Sequence, residues 1–254
     1  MSRLTVPARS DSSLSSLKNS CLNALSSGAF ALLRPHLTEV TVDEGFVFWD
    51  SNFYPNTLFP VSGLVSITVS FASGESIEVA AIGREGAAAQ FTPDPASGTT
   101  RGCAFVGGDF IRIPTAELFA AARANEEIAR LVHFCRDWLL TQSQQIAACN
   151  AVHTAEQRLC RWLAQSCERL GSQTFHATQD EIASGLGIRR TTVTLLAQVL
   201  QEKGLIRYRR GKIVVADQAL VEKVACECCI ALGEKYWPST RLQKYSALRA
   251  HTGE

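Results

Sequence analysis

Apolar and polar residues alternate over short runs in the first half of the chain and recur every three to four residues in the second. From about Leu37 to Pro114, VTVDEGFVFW and GLVSITVSF are rich in Val, Ile, Thr and aromatic residues and are bounded by Gly, Asn and Pro, as strands are. ASGES sets a Ser-Gly turn between LVSITVSF and SIEVAAIG, the pattern of a β-hairpin. Short strands at this spacing, with no long helical pattern between them, predict a sandwich or barrel. FTPDPASGTTRG is too rich in Pro, Gly and Thr for a strand and predicts a loop.

The period changes after Pro114. TAELFAAARANEEIARLVHFCRDWLLTQSQQIAACNAV holds neither Gly nor Pro and is dense in helix formers. Ile128, Leu131, Val132, Cys135, Trp138, Leu139, Ile146 and Cys149 form one stripe on it. Such a stripe is buried either against the helix's own domain or against a second copy in a coiled coil, and the pattern leaves both open. A further amphipathic helix spans Thr154 to Leu170, with Leu159, Trp162, Leu163 and Leu170 as its apolar set and Thr154 and Gln157 at capping-box spacing.

Thr178 and Glu181 repeat that spacing and start a short helix that stops near Gly185 to Gly187. A second helix follows from about Arg190 to Lys203, with Gly204 placed as its stop. Ala183, Gly187 and Val193 supply the small, permissive and apolar residues that two helices in close contact require, at helix-turn-helix spacing. Val193, Leu196 and Leu200 face inward, which turns Arg190, Thr191, Thr194 and Gln198 outward. LIRYRRGKIVV then reads as strand, Arg-Gly turn and strand, a wing beside the second helix.

Charge says what this surface meets. The 254-residue chain has a net charge of +1, but residues 1–149 carry 10 basic and 14 acidic residues, whereas residues 150–254 carry 15 and 10. Thr178–Lys212 alone holds seven basic and three acidic residues, in keeping with phosphate contacts. In a helix-turn-helix the start of the second helix enters the major groove, where Arg190 reaches a guanine edge and Thr191, Thr194 and Gln198 flank it. Thr178, Gln179, Arg189 and Thr192 lie near helix starts that face phosphates, and Arg207, Arg209, Arg210 and Lys212 do so on the wing. Double-stranded DNA is the expected partner. The chain shows no stretch of about 18 apolar residues and no signal-peptide core, so a cytoplasmic protein without a membrane partner is expected. No nucleophile–base set or phosphate-binding Gly-rich loop is visible, so no enzymatic activity is expected.

Across about residues 30–225 the chain resembles the Crp/Fnr family of bacterial transcription regulators. LFPVSGLVSITVSFASGESIEVAAIGREG resembles the family's sensor domain, and ACNAVHTAEQRLCRWL with TQDEIASGLGIRRTTVTLLAQVLQEKGLIRYRRGKI resembles its DNA-binding domain. The resemblance implies an α+β protein: an N-terminal jelly-roll (cupin-like) β-roll, a long dimerisation helix and a C-terminal winged helix-turn-helix. It sets boundaries at a flexible leader 1–27, a cyclic-nucleotide-binding-like roll 28–122, a dimerisation helix 123–150, a winged helix-turn-helix 151–222 and a tail 223–254. It also implies a homodimer on near-palindromic sites, and allows RNA polymerase as a partner. The family's cyclic-AMP receptor carries Arg-Glu and a second Arg where this chain has Arg190, Thr191 and Leu195, which predicts a different operator.

The effector cassette of cyclic-AMP-binding members, Gly-Glu-Leu followed by Arg-Ser/Thr-Ala, is missing. Gly83-Arg84-Glu85-Gly86 and Arg101-Gly102-Cys103 stand nearest to it, which makes Arg84, Glu85 and Arg101 the candidate effector residues and cyclic-nucleotide binding unexpected. The leader holds only Cys21, too few for the family's iron–sulfur cluster, and His36 and His133 are isolated as haem ligands. Cys226, Cys228 and Cys229 form a thiol cluster of a soft-metal or redox kind, but without C-x-x-C spacing or a second pair, so no metal or other cofactor is expected. Cys149, Cys160 and Cys167 fall on apolar helical faces and read as packing residues. The competing reading is a ligand- or redox-sensing module that acts on a protein partner.

Overall fold

Strict alternation of burial along Thr38–Val42, with Val40 and Val42 inside and Glu39 and Thr41 outside, marks the first long strand of a two-layered β-roll. The structure is a computed structural model that describes residues 4–5, 18–50, 54–90, 100–233 and 237–252. In the roll, β1 (Leu4–Thr5), β2 (Thr38–Val42), β8 (Gly108–Pro114) and β4 (Asn56–Pro60) form one antiparallel sheet in that order. The other sheet runs β3 (Val47–Asp50), β7 (Thr100–Val106), β5 (Leu64–Ser70) and β6 (Ser76–Ile82). Phe48, Leu58, Val65, Ala104 and Phe110 fill the space between them. The expected hairpin joins β5 to β6 in register from Val65–Ile82 to Ser70–Ser76. Of the expected loop, residues 91–99 lie outside the described part, and Thr100, Arg101 and Gly102 belong to β7.

Three expected boundaries are corrected. Part of the leader is core: Asn19, Cys21 and Leu22 are fully buried around α1 (Ser20–Asn23), which is followed by α2 (Ser27–Leu33). Asn19 caps α1 and donates to the Pro60 and Gly86 carbonyls at 2.9 and 3.0 Å, so it ties the segment to the roll. The long helix is two helices, α3 (Thr115–Ala124) and α4 (Glu126–Val152). Asn125 leaves helical geometry between them and accepts from the Ile128 N–H, the role that Asn takes at a helix start. The tail is folded into α9 (Cys228–Ala231) and α10 (Pro238–Thr252). Trp237 and Leu242 are buried, and the Arg241 guanidinium sits 4.6 Å over the Phe134 ring of α4. The roll and these C-terminal elements cover the apolar stripe of α4, so it is spent within the chain: Ile128, Leu131, Val132, Cys135, Trp138, Ile146 and Cys149 are all buried.

The C-terminal module comprises α5 (Ala155–Leu170), β9 (Thr174–His176), α6 (Gln179–Leu186), α7 (Arg190–Glu202), β10 (Ile206–Arg209), β11 (Lys212–Val215) and α8 (Gln218–Val224). Both expected capping boxes are present, Thr154 with Gln157 and Thr178 with Glu181. The apolar face of α5 is where the sequence puts it, but every residue from Arg158 to Cys167 is buried. The helix also meets the roll. Trp162 packs edge-on against Phe105 at 5.6 Å, and Leu64, Ala81 and Phe105 share one core with Leu163, Ile182 and Val193. Among the described residues no helix is long and apolar enough to cross a membrane.

Candidate nucleic-acid interface

The second helix of the pair, α7, is held by a tight turn. Gly187 caps α6 at φ 59°, a left-handed conformation that suits glycine, and a Cβ there would lie 3.3 Å from Ile77 of the roll. Val193 and Leu200 of α7 are fully buried, and Ala197 nearly so, which fixes the helix's rotation. Arg189, Arg190, Thr191, Leu195 and Gln198 are therefore exposed on one side, with Thr192 and Thr194 half-buried beside them. Arg190 Nη1 lies 3.6 Å from Asp180 Oδ2, a solvated pair of little energetic weight that leaves the guanidinium able to exchange partners. The Thr194 hydroxyl lies 2.9 Å from Gln179 Oε1 and 3.2 Å from the Arg190 carbonyl, so it joins the two helices. Arg189, at the N-cap of α7, makes no side-chain cap, and the first N–H groups of the helix stay open to an anion. Leu195 is 63% exposed on this polar face.

The wing stands beside it. β10 and β11 pair from Ile206–Val215 to Arg209–Lys212, and β9 adds a third strand to β11. A two-residue loop closes the hairpin with positive φ at both Arg210 (50°) and Gly211 (80°), the primed turn that matches strand twist. Tyr208 anchors it: its hydroxyl donates to the Ala177 carbonyl at 3.0 Å, and its N–H to Gln201 Oε1 at 2.9 Å. Arg207, Arg209, Arg210 and Lys212 gather around one shallow depression with Val214. All the expected contact residues except Thr178 and Gln179 thus lie on α7, its cap or the wing. Those two open α6, where Thr178 is engaged with Glu181 and Gln179 touches Thr194.

The three candidate effector residues do not form a cassette. Glu85 is fully buried. It accepts from the Gly83 N–H at 2.9 Å and pairs with Arg169 of α5 at 3.2 Å. Burial raises its pKa against the pull of Arg169. Arg84 lies with its guanidinium 6.0 Å from the Trp237 ring, and Arg101 Nε lies 3.8 Å from Asp50 on β3.

The thiol cluster has other members than those expected. Cys226 and Cys228 meet Cys149 and His153 at the end of α4, with the four donor atoms within 4.8 Å of one another, and Cys229 stands outside the group. Burial opposes ionisation of Cys149, but the Arg161 guanidinium and hydrogen bonds with His153, Cys226 and Cys228 prevail and lower its pKa. Burial, with the neighbouring Cys149, pushes Cys226 up to about 12. Cys160 and Cys167 are packing residues, with thiols that burial also raises to about 12. The missed signal is Cys149 and His153 four residues apart, the one in the last turn of α4 and the other just past its end.

Residues 157–224 match the model of the Crp-like helix-turn-helix domain. No curated protein matches the chain in sequence. Among solved structures, FixK2 from Bradyrhizobium japonicum superposes with a TM-score of 0.62 at 16% identity, covering 75% of this chain and 98% of its own. A CRP/FNR-family transcriptional regulator from Thermus thermophilus gives 0.57 at 18% identity, with 74% and 97% covered. The c-di-GMP-responsive global regulator CLP of Xanthomonas campestris gives 0.59 at 13%, with 76% and 100% covered. The chain therefore has their fold over nearly their whole lengths.

Proposed function

We propose that this DNA-binding transcription regulator of the Crp/Fnr type acts as a homodimer on near-palindromic operators in the cytoplasm, without cyclic AMP and without catalytic activity. The carrying observation is the outer face of α4. With the apolar stripe spent inside the chain, Leu140, Gln144, Ala147 and Ala151 remain exposed at spacings of four, three and four. This is the seam spacing of a two-stranded coiled coil, and its small residues let two backbones approach closely. Leu140 is 58% exposed and Val152 76%, large values for apolar residues of a folded chain. Pairing along this seam would set two α7 helices on half-sites one helical turn apart, with RNA polymerase as the onward partner.

Independence from cyclic AMP is supported by Glu85, whose carboxylate is committed to Arg169 and so is not free to receive a ribose hydroxyl. The test is selection of bound DNA from a random pool with the purified chain and no added nucleotide, alongside sedimentation of the wild type and Leu140→Glu. An inverted repeat and a dimer that Leu140→Glu splits are expected. A single half-site bound by a monomer would overturn the dimer, and a repeat recovered only with cyclic AMP would overturn the independence.

A further inference from the structure

Two pieces of chain far apart in sequence bring four metal-ligating side chains together. Cys149 lies in the last turn of α4, and His153 is the residue at which that helix ends. Cys226 and Cys228 follow α8. The Sγ atoms of Cys149 and Cys226 are 3.5 Å apart, and Cys228 Sγ is 3.6 Å from His153 Nδ1. A tetrahedral zinc ion with metal–sulfur bonds of about 2.3 Å and a metal–nitrogen bond of about 2.0 Å spaces its ligands roughly 3.5–3.8 Å apart. Two of the donor pairs already stand at that separation, and all four donors lie within 4.8 Å of one another.

The surroundings fit the same reading. His153 Nε2 lies 3.1 Å from Glu227 Oε2, so the ring N–H on that side donates to the carboxylate and leaves the Nδ1 lone pair toward the thiols. The Gln145 amide donates to Cys228 Sγ at 3.0 Å, as a donor beside a thiolate does. Arg158 and Arg161 are buried next door, and among the described residues neither forms an ion pair with a carboxylate. Three thiolates around a divalent cation carry a net negative charge, which two buried guanidiniums at this place would offset.

We propose that Cys149, His153, Cys226 and Cys228 bind one soft divalent cation of the zinc class as a closed Cys3His site. Such a site leaves no open position for chemistry. Two of its ligands stand at the end of α4 and two follow α8, so the ion pins the end of the long helix to the far edge of the DNA-binding module. That consequence for regulation rests on the reading given under Proposed function, whereas metal binding does not.

The experiment is metal analysis of the full chain, purified under reducing conditions and titrated with zinc, then repeated with cobalt. One zinc per chain is expected, with the visible spectrum of tetrahedral thiolate-bound cobalt. Cys226→Ser and Cys228→Ser should lose the metal, and Cys229→Ser should keep it. His153→Ala, at a more open position less apt to disturb folding, should lower zinc affinity at least tenfold and alter the cobalt spectrum. Chelation should lower the Tm of the wild type and leave that of Cys228→Ser unmoved. Failure of the reduced wild type to take up zinc, full stoichiometry in Cys226→Ser, or an iron–sulfur chromophore in place of a single ion would overturn the proposal. Operator selection reads the regulator assignment separately, because it can fail with zinc bound and succeed without it.

Discussion

Arg169 of α5 and Glu85 of the β-roll form a buried ion pair, with Nε and Oε1 3.2 Å apart and side chains 6% and 0% exposed. Arg169 also donates to Gln142 Oε1 at 2.9 Å, and the same oxygen accepts from the Ala81 N–H. One guanidinium thus links the DNA-binding module, the long helix and the roll. Removing one partner of such a pair leaves the other buried and uncompensated, which costs about 3–5 kcal/mol. Arg169→Met should therefore lower the stability of the chain by about that amount in denaturant unfolding. The double variant with Glu85→Gln should recover most of it. Equal losses in the single and double variants would show that the side-chain volume of Arg169 matters and its charge does not.

Arg190 is exposed at the first turn of α7, where it pairs with Asp180. Arg190→Ala should relax discrimination at one base position per half-site by about 1–3 kcal/mol. Competition binding with singly substituted operators measures this. Unchanged discrimination would move the reading face away from the start of α7.

The wing gathers Arg207, Arg209, Arg210 and Lys212 around one depression, a cluster of charge that suits phosphates. Arg209→Ala and Lys212→Ala should each weaken binding to all sequences alike and reduce the slope of log affinity against log salt by about 1. A sequence-dependent loss would instead place the wing in a groove.

Glu78 on β6 is buried and accepts from Ser66 Oγ at 2.6 Å. Burial raises its pKa despite the Ser66 hydrogen bond and the attraction of Arg169 and Arg161. The native state therefore holds this proton more tightly than the unfolded chain. Its contribution to stability is present in acid and declines as pH rises from the usual carboxylate range through the raised native pKa. Glu78→Gln keeps an acceptor for Ser66 and should make the fall of Tm from mildly acid to neutral pH shallower. An unchanged slope would assign that fall to other groups.

What the sequence discloses here is what lies close together along the chain. Ala183, Gly187 and Val193, the two capping boxes and the Arg-Gly turn each act over a few residues, and each stands where the spacing puts it. The ligand cluster escapes the same reading because Cys149 and Cys226 are 77 positions apart, and half a cluster looks like packing or like nothing. The all-round burial of α5 escapes it for a related reason. Periodicity marks the apolar face, but the polar face is covered by a different domain through Arg169, Glu85 and Gln142. The break at Asn125 was written in the sequence, as an N-cap residue three positions before Ile128, and was masked by strong helix formers on both sides.

The edge-on packing of Trp162 against Phe105 bears on how this architecture can be recombined. The two rings belong to different modules but to one continuous apolar core, so the reading head has no finished surface of its own on that side. A chimera that grafts it onto another sensor would inherit an open hydrophobic face unless the new roll supplied an aromatic ring where Phe105 stands and a carboxylate where Glu85 stands. Shuffling at this joint is therefore restricted to partners whose surfaces already match, and the joint itself becomes a heritable unit alongside the two modules it connects.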